Sequence, residues 1–278
     1  MSSRNKNAEV EYNISMKSTL VLLLAIAFSA CAWQKVESQP LADNPKSKIE
    51  NPKPKVLVEL FTSEGCSSCP PADRALAFLQ KEQPHSQAEI ITLAFHVDYW
   101  NNLGWKDEFS SPLFTQRQQF YAQKFRLDSA YTPQMVVDGS YELIGSNLDK
   151  VHKAISATIK TAKAKIELSN DDNKLKVDIS GVTNTSDATV YLAIAEDNLA
   201  SSVQRGENAG NRLEHISVVR ELKMLGKIAQ GESQFAGETL LEFNPVWQRE
   251  NLKLVVFVQE NQSRKVLGVD FVALESKG

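Results

Sequence analysis

Cys66-Ser67-Ser68-Cys69 is a dithiol set directly after the apolar run Val56-Leu57-Val58-Glu59-Leu60-Phe61 and directly before Pro70-Pro71-Ala72-Asp73. Two cysteines at this spacing can close a disulfide, hold a soft metal or trade electrons with another thiol pair, and the surroundings decide among these. The position where a strand hands over to a helix favours exchange. Unpaired N–H groups and the aligned dipole at a helix start favour a thiolate on Cys66, at the exposed tip of the turn, with Cys69 one turn further in as the resolving sulfur. Helix-terminus interactions of roughly 0.3–1 kcal/mol fall short of the about 1.4 kcal/mol that one pKa unit represents, so hydrogen bonds from the Ser68 N–H and from Cys69 must supply the rest.

Other chemistries remain open for the pair. Two reduced, buried thiols are one, and a zinc half-site is another. A four-ligand zinc site needs two more cysteines or histidines, and His85, His96, His152 and His215 contain no spaced pair. Copper(I) accepts two or three ligands, so a site made by Cys66, Cys69 and His96 stays available. The exchange reading needs no cofactor beyond the redox-active disulfide, and its partner is a thiol- or disulfide-containing polypeptide or a small thiol.

Those residues need a scaffold, and 278 residues, 42% of them hydrophobic and 23% charged, suffice for one large or two modest domains. Lys+Arg 31 against Asp+Glu 34 leaves no basic stripe, which argues against nucleic acid as a partner. Residues 1–32 read as an export signal, with Lys17 ahead of the apolar run from Thr19 to Phe28, too short to span a bilayer, and with Met16 as a second candidate start. Cleavage after Ala32 would release a soluble periplasmic or secreted protein, whereas a lipid on Cys31 would anchor it to a membrane. Either way Cys66 and Cys69 are the only cysteines of the mature chain left with free sulfurs. Closing so small a loop stabilises a fold by only about 2 kcal/mol, against roughly 4.7 for a hundred-residue loop, so the pair suits redox use better than stapling.

Residues 33–54, with Pro40, Pro45, Pro52 and Pro54 among polar residues, read as an extended tether. From Val56 the order is βαβα: strand Val56–Phe61, helix Ala72–Lys81, strand Ile90–Val97, helix Pro112–Phe125. Ala72, Ala75, Leu76 and Leu79 make one stripe of the first helix, with Ser68 as its cap and both prolines in its first turn. Leu113, Phe114, Phe120, Tyr121 and Phe125 align on the second, which Ser111-Pro112 opens. A β-hairpin turning near Asp138-Gly139-Ser140 follows, then a helix capped by Ser146 or Asn147. Beyond Lys163 the period becomes two, in Ile166-Leu168, Leu175-Val177-Ile179, Val190-Leu192-Ile194, Leu252 to Val258 and Val266 to Phe271. The expected architecture is therefore an α/β domain over 55–161, with a central mixed sheet, followed by an all-β, sandwich-like accessory domain over 162–278.

Strand, CxxC, helix, strand, helix, then Thr132-Pro133 before a hairpin and a last helix: the stretch from 55 to about 160 resembles the thioredoxin fold. The resemblance implies a cis bond before Pro133 facing the dithiol, with Thr132 presenting backbone groups to a bound polypeptide. More closely, the run from Val58 to Asp73, then His96-Val97-Asp98-Tyr99-Trp100 and Tyr131-Thr132-Pro133-Gln134, resembles a family of secreted bacterial proteins catalogued as a domain of unknown function. That likeness extends to Arg205-Gly206-Glu207-Asn208-Ala209-Gly210. Glu59 lies seven residues ahead of Cys66, where thioredoxins place a buried acid six ahead. Two readings stay open for it, a proton acceptor for the resolving thiol or a solvent-facing side chain at a sheet edge.

His96, Asp98, Tyr99 and Trp100 follow a strand whose end belongs on the rim that carries Cys66, where open α/β sheets bind ligands. They could shape a substrate groove, while Trp100, Trp105, Phe109 and Phe114 equally fit the core of a loop folded over the domain. An imidazole at His96 near a thiolate could lower its pKa or shuttle its proton. Arg205, Glu207, Asn208, Arg212 and His215 form a polar stretch that is either a solvated connection or a segment docked on the dithiol rim.

Overall fold

Every residue of the first strand after Lys55 is buried, which a mostly apolar run achieves in the middle of a sheet covered on both faces. The computed structural model describes residues 53–171 and 173–274. The expected signal, tether start and Cys31 lie outside them. The described chain runs β1 (Lys55–Thr62), α1 (Pro70–Glu82), β2 (Glu89–His96), α2 (Pro112–Phe125), β3 (Gln134–Val137), β4 (Tyr141–Ile144) and α3 (Leu148–Thr158). Nine strands follow: β5 (Lys165–Asp171), β6 (Lys174–Ser180), β7 (Ala188–Glu196), β8 (Leu199–Ser202), β9 (Arg212–His215), β10 (Val218–Ile228), β11 (Gln234–Leu240), β12 (Leu252–Glu260) and β13 (Val266–Ala273). Among the described residues, no helix is long and apolar enough to cross a membrane.

β1 pairs in parallel with β2, from Lys55↔Glu89 to Thr62↔His96, and antiparallel with β3, from Phe61↔Gln134 to Val58↔Val137. One face of this sheet packs on α1 and α3 through Val56, Val58, Leu60, Leu76, Leu79 and Ile155. Asn147 accepts the Lys150 N–H and so caps α3, one of the two expected candidates. The opposite face, with Leu57, Phe61, Leu93 and Phe95, meets α2. Its buried positions are Phe114, Arg117, Gln118, Tyr121 and Ala122, so the expected stripe is rotated: Leu113 and Phe120 face outward. A buried arginine explains the rotation. Arg117 Nε donates to Glu59 Oε1 at 2.7 Å, and its guanidinium lies about 5 Å from the Phe95, Tyr121, Tyr191 and Phe257 rings.

The sheet does not end where the helices do. Its order is β13-β12-β7-β10-β2-β1-β3-β4, so strands from the all-β half extend the sheet that carries the dithiol. Ala193, Ala195, Val255, Phe257 and Val269 share a core with Leu57, Phe61 and Phe95. The other face of β7 and β12 packs on a three-stranded sheet, β11-β6-β5. What differs from expectation is the independence of the all-β half: the described residues form one compact unit, and the change at 161/162 is a change of element type within it.

Polar groups fasten the two halves. Ala94 N–H donates to Ser217 O at 2.8 Å where β10 meets β2. Lys253 Nζ donates to Ser217 Oγ at 2.7 Å and to Gln80 Oε1 at 2.8 Å, which ties β12 to α1. At the hairpin tip Gly139 takes φ +61°, and a Cβ there would lie 1.8 Å from Arg264 O, so only glycine lets the turn reach the β12–β13 connection.

Candidate functional site

At the end of β1 the chain leaves the sheet through Ser63-Glu64-Gly65 and turns before α1. The Cys66 N–H donates to Ser63 O at 3.2 Å and the Cys69 N–H to Cys66 O at 3.1 Å. Within this turn Cys66 and Cys69 are joined by a disulfide, with Cα atoms 5.4 Å apart. Cys69, not Ser68, is the N-cap of α1, and the prolines take the first two helical positions. Proline has no N–H, and the N–H groups of Ala72 and Asp73 both donate to Cys69 O, so the helix start offers Cys66 fewer donors than expected. The neighbour that does reach it is the Ser68 hydroxyl, 3.3 Å from the Cys66 sulfur.

Neither sulfur stands at an exposed tip: Cys66 and Cys69 are both 0% exposed, while Ser67 and Ser68 between them face solvent. A polar segment is hydrogen-bonded to the backbone of this turn. The Asn208 amide donates to Glu64 O at 2.8 Å and to Cys66 O at 3.0 Å, and Glu207 Oε2 accepts the Ser67 N–H at 3.0 Å. The stretch 203–211 is thus docked on the dithiol turn, the second of the two readings for it. Arg205 within it is exposed.

A buried group of acids and imidazoles lies behind the turn. Glu64 accepts from Trp105 Nε1 at 2.7 Å and lies 3.1 Å from His215 Nε2. Burial pushes its carboxyl up, yet His215 and the other donors hold it below its ordinary value. Asp107 Oδ2 accepts the Glu64 N–H at 2.9 Å and lies 2.7 Å from His96 Nδ1. Burial raises Asp107 too, but the neighbouring His96 brings it down. For His96 burial works against the charged form, and Asp107, Asp73 and Glu64 overcome it. The His96 ring is fully buried, packs edge-on against His215 and Phe109, and its Nε2 has no hydrogen-bond partner. Asp73 accepts from Thr62 Oγ1 at 2.8 Å, and burial keeps its carboxyl above the ordinary range despite His215 and His96.

Thr132–Pro133 is a cis peptide bond. Since Gln134 pairs with Phe61, Pro133 lies beside Thr62, where the dithiol loop starts. A Cβ on Gly145 would lie 2.9 Å from Ala72 Cβ and 3.6 Å from Pro133 Cβ, which puts Pro133 next to the first turn of α1. Trp100 Nε1 donates to Thr132 Oγ1 at 2.8 Å, and a Cβ on Gly65 would lie 3.0 Å from Trp100 Cβ. Trp100 therefore bridges the dithiol loop and the Thr132–Pro133 corner, and Tyr99 beside it is 39% exposed. Cys66, Cys69, Thr132, Pro133, Tyr99, Trp100 and His96 are thus brought to one rim.

Three expected residues are not part of it. Asp98 accepts from Thr115 Oγ1 at 2.5 Å and so holds the start of α2. Arg205 is exposed. Glu59 is fully buried on the α2 face, where Arg117 and the Tyr121 hydroxyl occupy its oxygens, so it is neither solvent-facing nor turned toward Cys69. Among the described residues, with Cys66 and Cys69 joined in the disulfide, no three His, Cys, Asp or Glu side chains converge to hold a metal ion. The sequence reading passed over Glu64, Asp73 and Asp107. A faint signal existed in that Glu64 and Asp73 flank the dithiol closely.

Residues 57–259 match the family described as "Protein of unknown function (DUF1223)". The chain belongs to this family. A structural relative is protein AGR_C_4864 from Agrobacterium tumefaciens, 23% identical, with a TM-score of 0.67 over 82% of this chain and 98% of that one. It supports the α/β fold as a whole. A domain of the outer membrane lipoprotein Omp28 from Porphyromonas gingivalis is 17% identical over 41% of this chain and 89% of that one, with a TM-score of 0.23. No curated protein matches the chain.

Proposed function

We propose that this DUF1223 protein is an exported thiol–disulfide oxidoreductase with a thioredoxin-like catalytic half. The carrying observation is the closed Cys66–Cys69 pair at the junction of β1 and α1, in a rim that includes Pro133, Thr132 and Trp100. The strand order β2-β1-β3-β4, with β3 antiparallel, supports the fold part of the reading. Export is proposed from residues 1–32, which also leave a lipid on Cys31 as an alternative form.

In the reduced protein the Cys66 thiolate, assisted by the Ser68 hydroxyl, attacks a partner disulfide and expels one partner thiolate. Cys69 then attacks the Cys66 sulfur of the mixed disulfide, which closes the intramolecular pair and releases the second partner thiolate. The protein loses two electrons and the partner gains them. The same steps run backward when the partner is a dithiol. Because the sulfurs are buried, the partner must first displace the 203–211 segment, and the exposed Tyr99 with Thr132 gives it a surface beside the opening. The partner is accordingly a thiol- or disulfide-containing polypeptide or a small thiol.

The test is exchange with insulin disulfides. Wild-type protein is expected to turn over, Cys66→Ala to be inactive, and Cys69→Ala to accumulate a covalent mixed disulfide. Full activity in Cys66→Ala, or no turnover by the wild type, would overturn the proposal.

A further inference from the structure

Closing the pair requires Cys69 to lose a proton before it can attack, and opening it requires Cys69 to regain one. Solvent is poorly placed for this, because Cys69 is fully buried. Glu59, the acid expected to serve, faces the other side of the sheet and is occupied by Arg117. A different carboxyl is well placed. Asp73 follows Cys69, the N-cap of α1, by four positions, and its N–H donates to Cys69 O at 3.1 Å, so the two side chains leave the helix start one turn apart on one face. Thr62 at the end of β1 donates to Asp73 Oδ1 at 2.8 Å and fixes the carboxyl under the turn.

We propose that Asp73 takes the proton that leaves Cys69 when the dithiol closes and returns it when the disulfide opens, with His96 as its electrostatic support. The inference rests on the oxidoreductase reading above. Stepwise, Cys69–SH and Asp73–COO⁻ become Cys69–S⁻ and Asp73–COOH. The Cys69 thiolate bonds to the Cys66 sulfur, the bond from Cys66 to the partner breaks, and the partner leaves as a thiolate that solvent protonates.

The groups facing Asp73 fit the task. His96 from β2 and His215 from β9 lie near enough to lower its pKa, whereas Asp107 from the β2–α2 loop and burial raise it. Asp107 contacts His96 at Nδ1, and Glu64 from the dithiol loop contacts His215 at Nε2. Acids and bases therefore alternate across the cluster, so a proton can arrive at Asp73 or leave it without stranding an isolated charge. His96 Nε2, buried and unpartnered, leaves one ring nitrogen free to respond to that change. In the closed form shown here burial favours the protonated Asp73, which is the state the step would produce.

A carboxyl with a raised folded-state pKa lowers stability as pH rises through the interval between its unfolded and folded values. A purely structural Asp73 would thus be better replaced by asparagine at neutral pH. Asp73→Asn should be at least as stable as wild type near pH 7, yet defective in one chemical step.

The experiment starts from protein carrying glutathione on Cys66 and follows closure of the intramolecular pair across pH 5–9. Asp73→Asn is expected to close about a hundredfold more slowly near neutral pH and to regain speed as pH rises, while Asp73→Glu restores part of the rate. A wild-type rate and pH profile in Asp73→Asn would overturn the inference. Infrared difference spectra of unmodified wild type need no variant to fold. Closure should add one protonated-carboxyl C=O band, and its absence also counts against the inference. Failure of the oxidoreductase reading looks different, as absence of Cys66-dependent turnover of polypeptide disulfides whatever occupies position 73.

Discussion

Replacing Asn208 by alanine should uncover Cys66. Its amide makes two hydrogen bonds to backbone carbonyls of the dithiol loop, at 2.8 and 3.0 Å, and Asn208 is itself buried. At about 1 kcal/mol net for each neutral bond, the variant loses about 2 kcal/mol of closure energy, equivalent to roughly a thirtyfold larger open population. Cys66 is 0% exposed, so alkylation of the reduced protein proceeds through the open form and its rate scales with that population. The assay is iodoacetamide labelling of Cys66 by mass spectrometry at a series of pH values. Thiolate formation sets the midpoint of the rate profile, whereas opening sets its plateau. Asn208→Ala is expected to raise the plateau about thirtyfold and leave the midpoint in place. An unchanged or lower plateau would refute the view that the 203–211 segment gates the sulfur.

Two further outcomes concern buried charge. Arg117→Met leaves Glu59 without its ionic partner in the core, and thermal or urea unfolding should register a loss of about 3–5 kcal/mol, more than twice what Arg117→Met combined with Glu59→Leu loses. Asp107 has a folded-state pKa below its ordinary 3.8, so the stability it contributes is complete above that value and is lost as pH falls toward the depressed one. Asp107→Asn should accordingly flatten the acid limb of a stability-versus-pH curve, and an unchanged acid limb would show that the His96–Asp107 contact contributes nothing to it.

The dithiol half was readable because its signals are local. Apolar runs of strand length, a 3.6-residue stripe in α1, a Ser-Pro helix start and an Asp-Gly turn each act within a few residues. The site was readable only where cysteine or proline marks it. Glu59 could not be placed without Arg117, 58 residues later, since an acid inside an apolar run is tolerable only when a distant cation is folded onto it. Glu64, Asp73 and Asp107 gain their roles from burial, which is a tertiary property. β10 also escaped notice, because Arg220, Glu221 and Lys223 interrupt its alternation, and those side chains are only partly buried where it crosses between the two halves. Sharing one sheet between the halves leaves no periodic mark at all.

The contact between β10 and β2 is narrow. It rests on the single register pair Val218↔Ala94, whereas β10 runs along β7 for almost its whole length. Directly before this seam in the chain come His215 and, a few residues earlier, Asn208, the groups that grip the dithiol turn. The dithiol half is therefore not an interchangeable cassette. Cutting the chain near residue 161 would bare the outer edge of β2, strip Asn208 and Glu207 from the turn, and leave the acid–imidazole group without His215, so the unit that inheritance must keep intact spans both halves.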